Sequence, residues 1–216
     1  ASGNAGYAMT GVAKTADDYP TFQITDGKAG KCLSLVTRST GFFGQLAGMP
    51  IAAGNLFIGS FDVNNAMSNP LKATKFGLPF RHIPTYLAGY YKYKAGDQFT
   101  EGGKLVNGKR DICDIYAIMY ETSESVPTLD GTNAFTSPNL ISTARINNAK
   151  ETNEWTYFKL PFTTLPGKFI DKKKLMDGKY NIAIVFTSSL EGDHFNGAIG
   201  STLLIDEAEL IYHSEN

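Results

Sequence analysis

The feature that most limits what this chain can fold into is an alternation of apolar and polar residues with a period of two, interrupted again and again by Gly, Asn and Asp. It runs through 31–37, 56–63, 85–94, 112–122, 155–162, 180–187 and 202–212. Successive side chains of an extended strand point to opposite faces, so each stretch builds one face for a core and one for its surroundings. Between the stretches lie Asp26-Gly27, Asn64-Asn65, Gly102-Gly103, Asn107-Gly108, Asp130-Gly131 and Asp177-Gly178, residue pairs that accept the positive backbone angles of tight turns. At least seven strands are therefore expected. No helical periodicity alternates with them, which argues against a parallel α/β sheet and for packed antiparallel sheets. A single short helical turn is expected at 171–176, where Asp171 can cap the segment and Gly178 can stop it. The fold class that follows is all-β, a two-sheet antiparallel jelly-roll sandwich with one short helical turn.

Composition narrows the partners. With 42% hydrophobic and 19% charged residues, the chain has the apolar content to close a core, and 216 residues suit one β-sandwich domain over 1–216. The 22 Gly, 14 Phe and 11 Tyr against one Trp match short aromatic strands joined by tight turns. A net charge of -1 gives no broad field for nucleic acid or anionic lipid. No run approaches the roughly 18 apolar residues of a membrane span. The opening ASGNAGYAM has neither an initiator Met nor an apolar signal core and reads as a mature or trimmed chain. Cys32 and Cys113 both sit among alternating apolar residues, which suits buried free thiols, while an oxidising compartment would also permit a disulfide.

Short catalytic signatures are missing: no GxSxG, HExxH, GxxxxGK[ST] or GxGxxG occurs in its required setting. His82, His194 and His213 lack zinc spacing. Glycosidic chemistry needs only two carboxylates brought together in space, and the acids that strands and loops can supply are Asp114, Glu191, Asp193, Glu207 and Glu209. Period two places Glu207 and Glu209 on one face, where they flank a bond or simply solubilise the sheet.

Aromatic and polar residues sharing a strand face are the sharper signal. Tyr90 and Lys92 share one face of 85–94, and Asp114, Tyr116 and Tyr120 share one face of 112–122. Trp155 shares a face with Tyr157 and Lys159. A pyranose offers a C–H face to a ring and hydroxyls to polar neighbours, so these mixed faces suit a sugar. They equally suit packing beneath loops, with Asp114 paired to Lys92 on a neighbouring strand. Arg81, beside His82, and Asp193 with His194 in the loop 191–197 add candidate contacts from loops.

Several phrases in combination resemble the putative carbohydrate metabolism domain of secreted Bacteroidetes proteins. They are Leu33-Ser-Leu-Val-Thr37, Gly48-Met-Pro-Ile-Ala-Ala-Gly-Asn-Leu-Phe-Ile-Gly59, Asn69-Pro-Leu-Lys-Ala-Thr-Lys-Phe-Gly77, Leu87-Ala-Gly-Tyr-Tyr-Lys-Tyr-Lys94, Asp111-Ile-Cys-Asp-Ile-Tyr116 and Gly200-Ser-Thr-Leu-Leu-Ile-Asp-Glu207. The resemblance implies a jelly roll similar to galactose-binding-like carbohydrate modules, an extracytoplasmic setting at the cell surface, outer membrane or periplasm, and a part in glycan utilisation. It brings no catalytic set. The ending LLIDEAEL is also similar to the last strand of many sugar-binding sandwiches, which implies a structural calcium at Asp206, with Asp17, Asp18 or Asp26 as further ligands. Three functions stand open at this point: non-catalytic binding of an oligo- or polysaccharide, a glycoside hydrolase-like enzyme using paired carboxylates, and a structural or assembly domain of a surface lipoprotein. In each, the chain is expected to be the C-terminal part of a larger exported protein, beside a neighbouring domain or a surface-complex protein.

Overall fold

A computed structural model describes residues 2–64, 66 and 68–212, with side chains from Asn4 onward. Asn65 of the expected Asn64-Asn65 turn, and His213, lie outside the described residues. Nine strands make the sandwich: β1 Thr21–Ile24, β2 Cys32–Val36, β3 Asn55–Phe57, β4 Pro84–Lys94, β5 Asp114–Glu121, β6 Leu140–Arg145, β7 Thr152–Pro161, β8 Tyr180–Thr187 and β9 Thr202–Tyr212. The first sheet runs β1-β2-β9-β4-β7; in the second, β6-β5-β8-β3 is extended beyond β6 by Thr163–Thr164. All of these neighbours pair antiparallel. The chain changes sheet at β2–β3, β3–β4, β4–β5, β6–β7, β7–β8 and β8–β9, so most strands adjacent in sequence lie in opposite sheets. That exchange is the jelly-roll arrangement.

The core between the sheets is what period two writes into the sequence. Leu87, Tyr91 and Tyr93 of β4, Ile115 and Ala117 of β5, Phe158 of β7 and Leu203 and Ile205 of β9 are buried together. Each such aliphatic side chain contributes about 1.5–3 kcal/mol when removed from water. Cys32 and Cys113 are separate, buried thiols, and burial pushes the Cys113 thiol well above its usual range.

A second core lies on the outer face of the second sheet. There Ile118 and Tyr120 of β5 and Ala183 and Val185 of β8 are covered by Phe76, Leu129 and Ala134 from two loops. β5 is thus buried on both faces over most of its length. At one edge of this cover Asp114 and Tyr116, themselves buried, still border a cleft, and that cleft is the site described below.

Each of the seven stretches carries a strand, with two departures. The stretch 56–63 splits, because Gly59 holds φ 148° and a Cβ there would come within 2.0 Å of the Lys75 carbonyl oxygen; Gly59–Phe61 leaves the sheet and pairs with Thr74–Phe76. The expected common face of Glu207 and Glu209 is corrected by a bulge: the register of β9 on β4 shifts between Asp206 and Glu209, with Glu207 at φ 49°. One extra residue resets the alternation. Both side chains are exposed.

The helical turn forms as α4, Lys172–Met176, with the Lys174 N–H donating to Asp171 Oδ1 at 2.9 Å. Further short helices occupy loops: α1 Ser2–Ala8, α2 Gly41–Leu46 and α3 Pro70–Ala73. Among the described residues no helix is long and apolar enough to cross a membrane.

Candidate functional site

The register of the second sheet lays out the floor of a cleft. Asp114 lies opposite Thr187, which lies opposite Asn55, forming a polar row across β5, β8 and β3. Two residues further along β5, Tyr116 lies between Arg145 and Val185, and Val185 lies opposite Phe57. All seven side chains line one cleft of about 510 Å³, within the range of small-ligand sites. Its walls come from α1, α2, the stretches 49–53, 61–63, 70–74, 131–135 and 190–195, and Ala66.

Asp114 is buried, and Arg145 reaches it from the neighbouring strand: Arg145 Nε donates to Oδ1 at 3.2 Å and Oδ2 at 3.0 Å, and Nη2 donates to Oδ2 at 2.7 Å. The planar guanidinium fits a carboxylate in this forked manner where a lysine does not. The same guanidinium lies 4.4 Å from the Phe135 ring centroid and 5.7 Å from that of Tyr116, and these two rings meet at 4.9 Å. Burial pushes the Asp114 carboxyl above its usual range, while the Arg145 bonds and charge pull it down. Burial also raises the Tyr116 phenol. The expected partner of Asp114, Lys92, is corrected here: Lys92 belongs to the other sheet and lies over Trp155, 5.1 Å from its ring centroid.

Asp193 joins the cleft from the 3-10 turn Gly192–His194. Gly192 packs where a Cβ would come within 2.4 Å of the Ala53 Cβ, so a side chain there would push the turn off its support. Phe195 follows with φ 59°, a left-handed conformation that is uncommon for a bulky residue, and its side chain also lines the cleft. The negative charge of Asp193 is felt at Asp114 and Tyr116. His194 points its Nε2 to within 3.9 Å of Asp193 Oδ1 and is not among the lining residues.

The remaining candidates are elsewhere. Tyr90, Lys92 and Trp155 lie on the outer face of the first sheet, with Lys28 over Tyr90 at 4.5 Å and Tyr90 against Tyr157 at 5.2 Å. The amines there already cover ring faces. Arg81 sits beside Gly178 at the start of β8, the end opposite Asp193. Tyr120 is fully buried; its hydroxyl donates to the Phe76 carbonyl and accepts from Asn181 Nδ2 at 2.9 Å, so it belongs to the fold and not to the cleft.

Asp206 accepts the Ala29 N–H at 3.0 Å through Oδ2 and the Glu207 N–H at 2.9 Å through Oδ1. Calcium takes six to eight oxygens. Among the described residues no three His, Cys, Asp or Glu side chains converge there as a metal site.

The sequence reading missed Arg145, Phe135, Asn55 and Phe57. Their only local signal was the apolar or polar character of one residue in a short strand or loop.

The model of a family described as "Putative carbohydrate metabolism domain" matches residues 1–211. The crystal structure of a putative glycoside hydrolase from Bacteroides thetaiotaomicron VPI-5482 is 88% identical, with TM-score 0.97 over 99% of this chain and 62% of that one. This chain therefore spans less than two thirds of that relative. A putative glycoside hydrolase from Bacteroides vulgatus ATCC 8482 is 51% identical, with TM-score 0.92 over 97% of this chain and 84% of that one. No curated protein matches the chain.

Proposed function

This chain belongs to the putative carbohydrate metabolism domain family, and from that premise we propose that the cleft over Asp114, Tyr116 and Arg145 is a non-catalytic carbohydrate-binding site. The observation that carries this reading is the forked Arg145–Asp114 pair set beside two aromatic rings. An ion pair held at fixed geometry offers hydroxyls both donors and acceptors, and rings offer a surface for a sugar's C–H face. The module acts outside the cytoplasm in glycan utilisation, as part of a larger exported protein.

Both Asp114 oxygens accept from Arg145, which holds the carboxyl in a fixed orientation for hydrogen bonding. Calorimetric titration against a panel of plant and host oligosaccharides and simple alkyl glycosides tests the reading. Binding without release of reducing ends is expected, and no binding across the panel would defeat it.

One observation favours a second reading: Asp114 and Asp193 line the same cleft, as the two acids of a glycosidase must. Glycoside hydrolysis then predicts reducing ends that accumulate with the wild type and stop with Asp193→Asn.

A further inference from the structure

The floor of the cleft changes from polar to apolar along the strands. Along the floor, the polar row Asp114–Thr187–Asn55 gives way within two residues to the row Tyr116–Val185–Phe57, which still lines the cleft although Tyr116 and Val185 already belong to the outer core with the following pair, Ile118 and Ala183. The walls of the same cleft are largely apolar. Met49, Ile51, Phe61 and Val63 line them, and Phe43 on α2 lines the cleft while remaining 72% exposed. Val63 is 38% exposed. An oligosaccharide with hydroxyls on every edge would strip water from its polar groups along this wall without finding partners, which is costly. Large apolar side chains left exposed at a cleft rim mark a surface that gains from being covered.

We infer that the ligand is an amphipathic glycoside, its sugar over the Asp114–Thr187–Asn55 row beside Arg145 and its apolar aglycone over Val185 and Phe57 toward Phe61, Val63 and Phe43. This rests on the carbohydrate-binding reading and adds the substrate class. The polar end carries Asp114 and Asp193 against Arg145, so an uncharged sugar suits it better than an acidic one.

The test compares methyl and octyl β-glucosides and β-galactosides by calorimetry, with octyl compounds below their micellar concentration and a polyoxyethylene alkyl ether as the tail without a sugar. For at least one sugar, the octyl compound should bind about tenfold or more tighter than the methyl one, since each buried methylene adds to affinity. Phe43→Ser, at an exposed position, and Val63→Asp should remove most of that gain while leaving methyl glycoside or oligosaccharide binding unchanged. Equal affinity for methyl and octyl forms overturns the inference and leaves carbohydrate binding intact. So does oligosaccharide binding with no response to any octyl glycoside, or an octyl gain that both variants retain. Equal binding of the sugar-free ether overturns it as well, by removing the sugar from recognition. Failure of every sugar, octyl or oligomeric, takes the carbohydrate reading down too.

Discussion

Arg145 lies face-on to Phe135, 4.4 Å from guanidinium carbon to ring centroid. Phe135 comes from the loop that closes the outer core and Arg145 from the last residue of β6, so this one contact joins the loop to the sheet at the cleft's edge. The Asp114 pairing turns the same guanidinium into part of the floor.

Arg145→Ala should therefore cost both stability and binding. It leaves the buried Asp114 carboxylate without its partner; with the arginine side chain 40% exposed, the loss is discounted to about 1–3 kcal/mol. Arg145→Lys should recover part of the stability and little of the binding, because lysine keeps the charge and loses the fork. Urea unfolding and calorimetry on both variants check this.

Tyr120→Phe should behave differently. It removes the hydroxyl shared by Phe76 and Asn181; the Phe76 carbonyl keeps the Thr128 hydroxyl, but the buried Asn181 amide loses its acceptor, at about 1–3 kcal/mol. Glycan affinity should not change, since the ring lies in the outer core.

The one tryptophan of the chain, Trp155, is on the outer face of the first sheet under Lys92. A ligand in the cleft should leave its emission unaltered at saturation, and Trp155→Ala should bind as the wild type does. A shift of emission on titration would place the sugar on the Tyr90–Tyr157 face instead.

Asp111 predicts a pH dependence. Its Oδ2 accepts from Ser189 Oγ at 2.6 Å, Ser201 Oγ at 2.7 Å and the Ala198 N–H at 2.8 Å, yet burial leaves its carboxyl above the usual range. Over the window from the unfolded carboxylate value up to the raised folded one, the folded state holds more protons, so this group's contribution to stability falls as pH rises. Unfolding measured from about pH 4 to about pH 7 should show the wild type losing ground relative to Asp111→Asn. Asp111→Ala should be the more damaging change, by about 3 kcal/mol or more, because three buried donors lose their acceptor.

Much of the sandwich was legible because alternation survives wherever one face meets the core and the other does not, as in β4 and β9. The helical turn was legible through Asp171 and Gly178. β6 was not: five of its six residues, Leu140 to Ala144, are buried or half-buried, so LISTAR has no polar face to read. β1, three half-covered residues and the exposed Gln23 at a sheet edge, gives equally little signal. The bulge at Glu207 was hidden because a non-glycine residue takes the left-handed conformation there. For the site, Asp114, Tyr116 and Asp193 could be picked out by character, but what unites them is Arg145, 31 positions from Asp114, and only the antiparallel pairing of β5 with β6 makes that neighbourhood.

The central claim is that sugar is held over the second sheet. Titrating isotopically labelled protein with the tightest-binding glycan while following backbone amide resonances tests it most directly. Shifts should concentrate at Tyr116, Phe135, Arg145 and Asp193; a footprint centred on Tyr90, Trp155 and Tyr157, with those four unmoved, would contradict it.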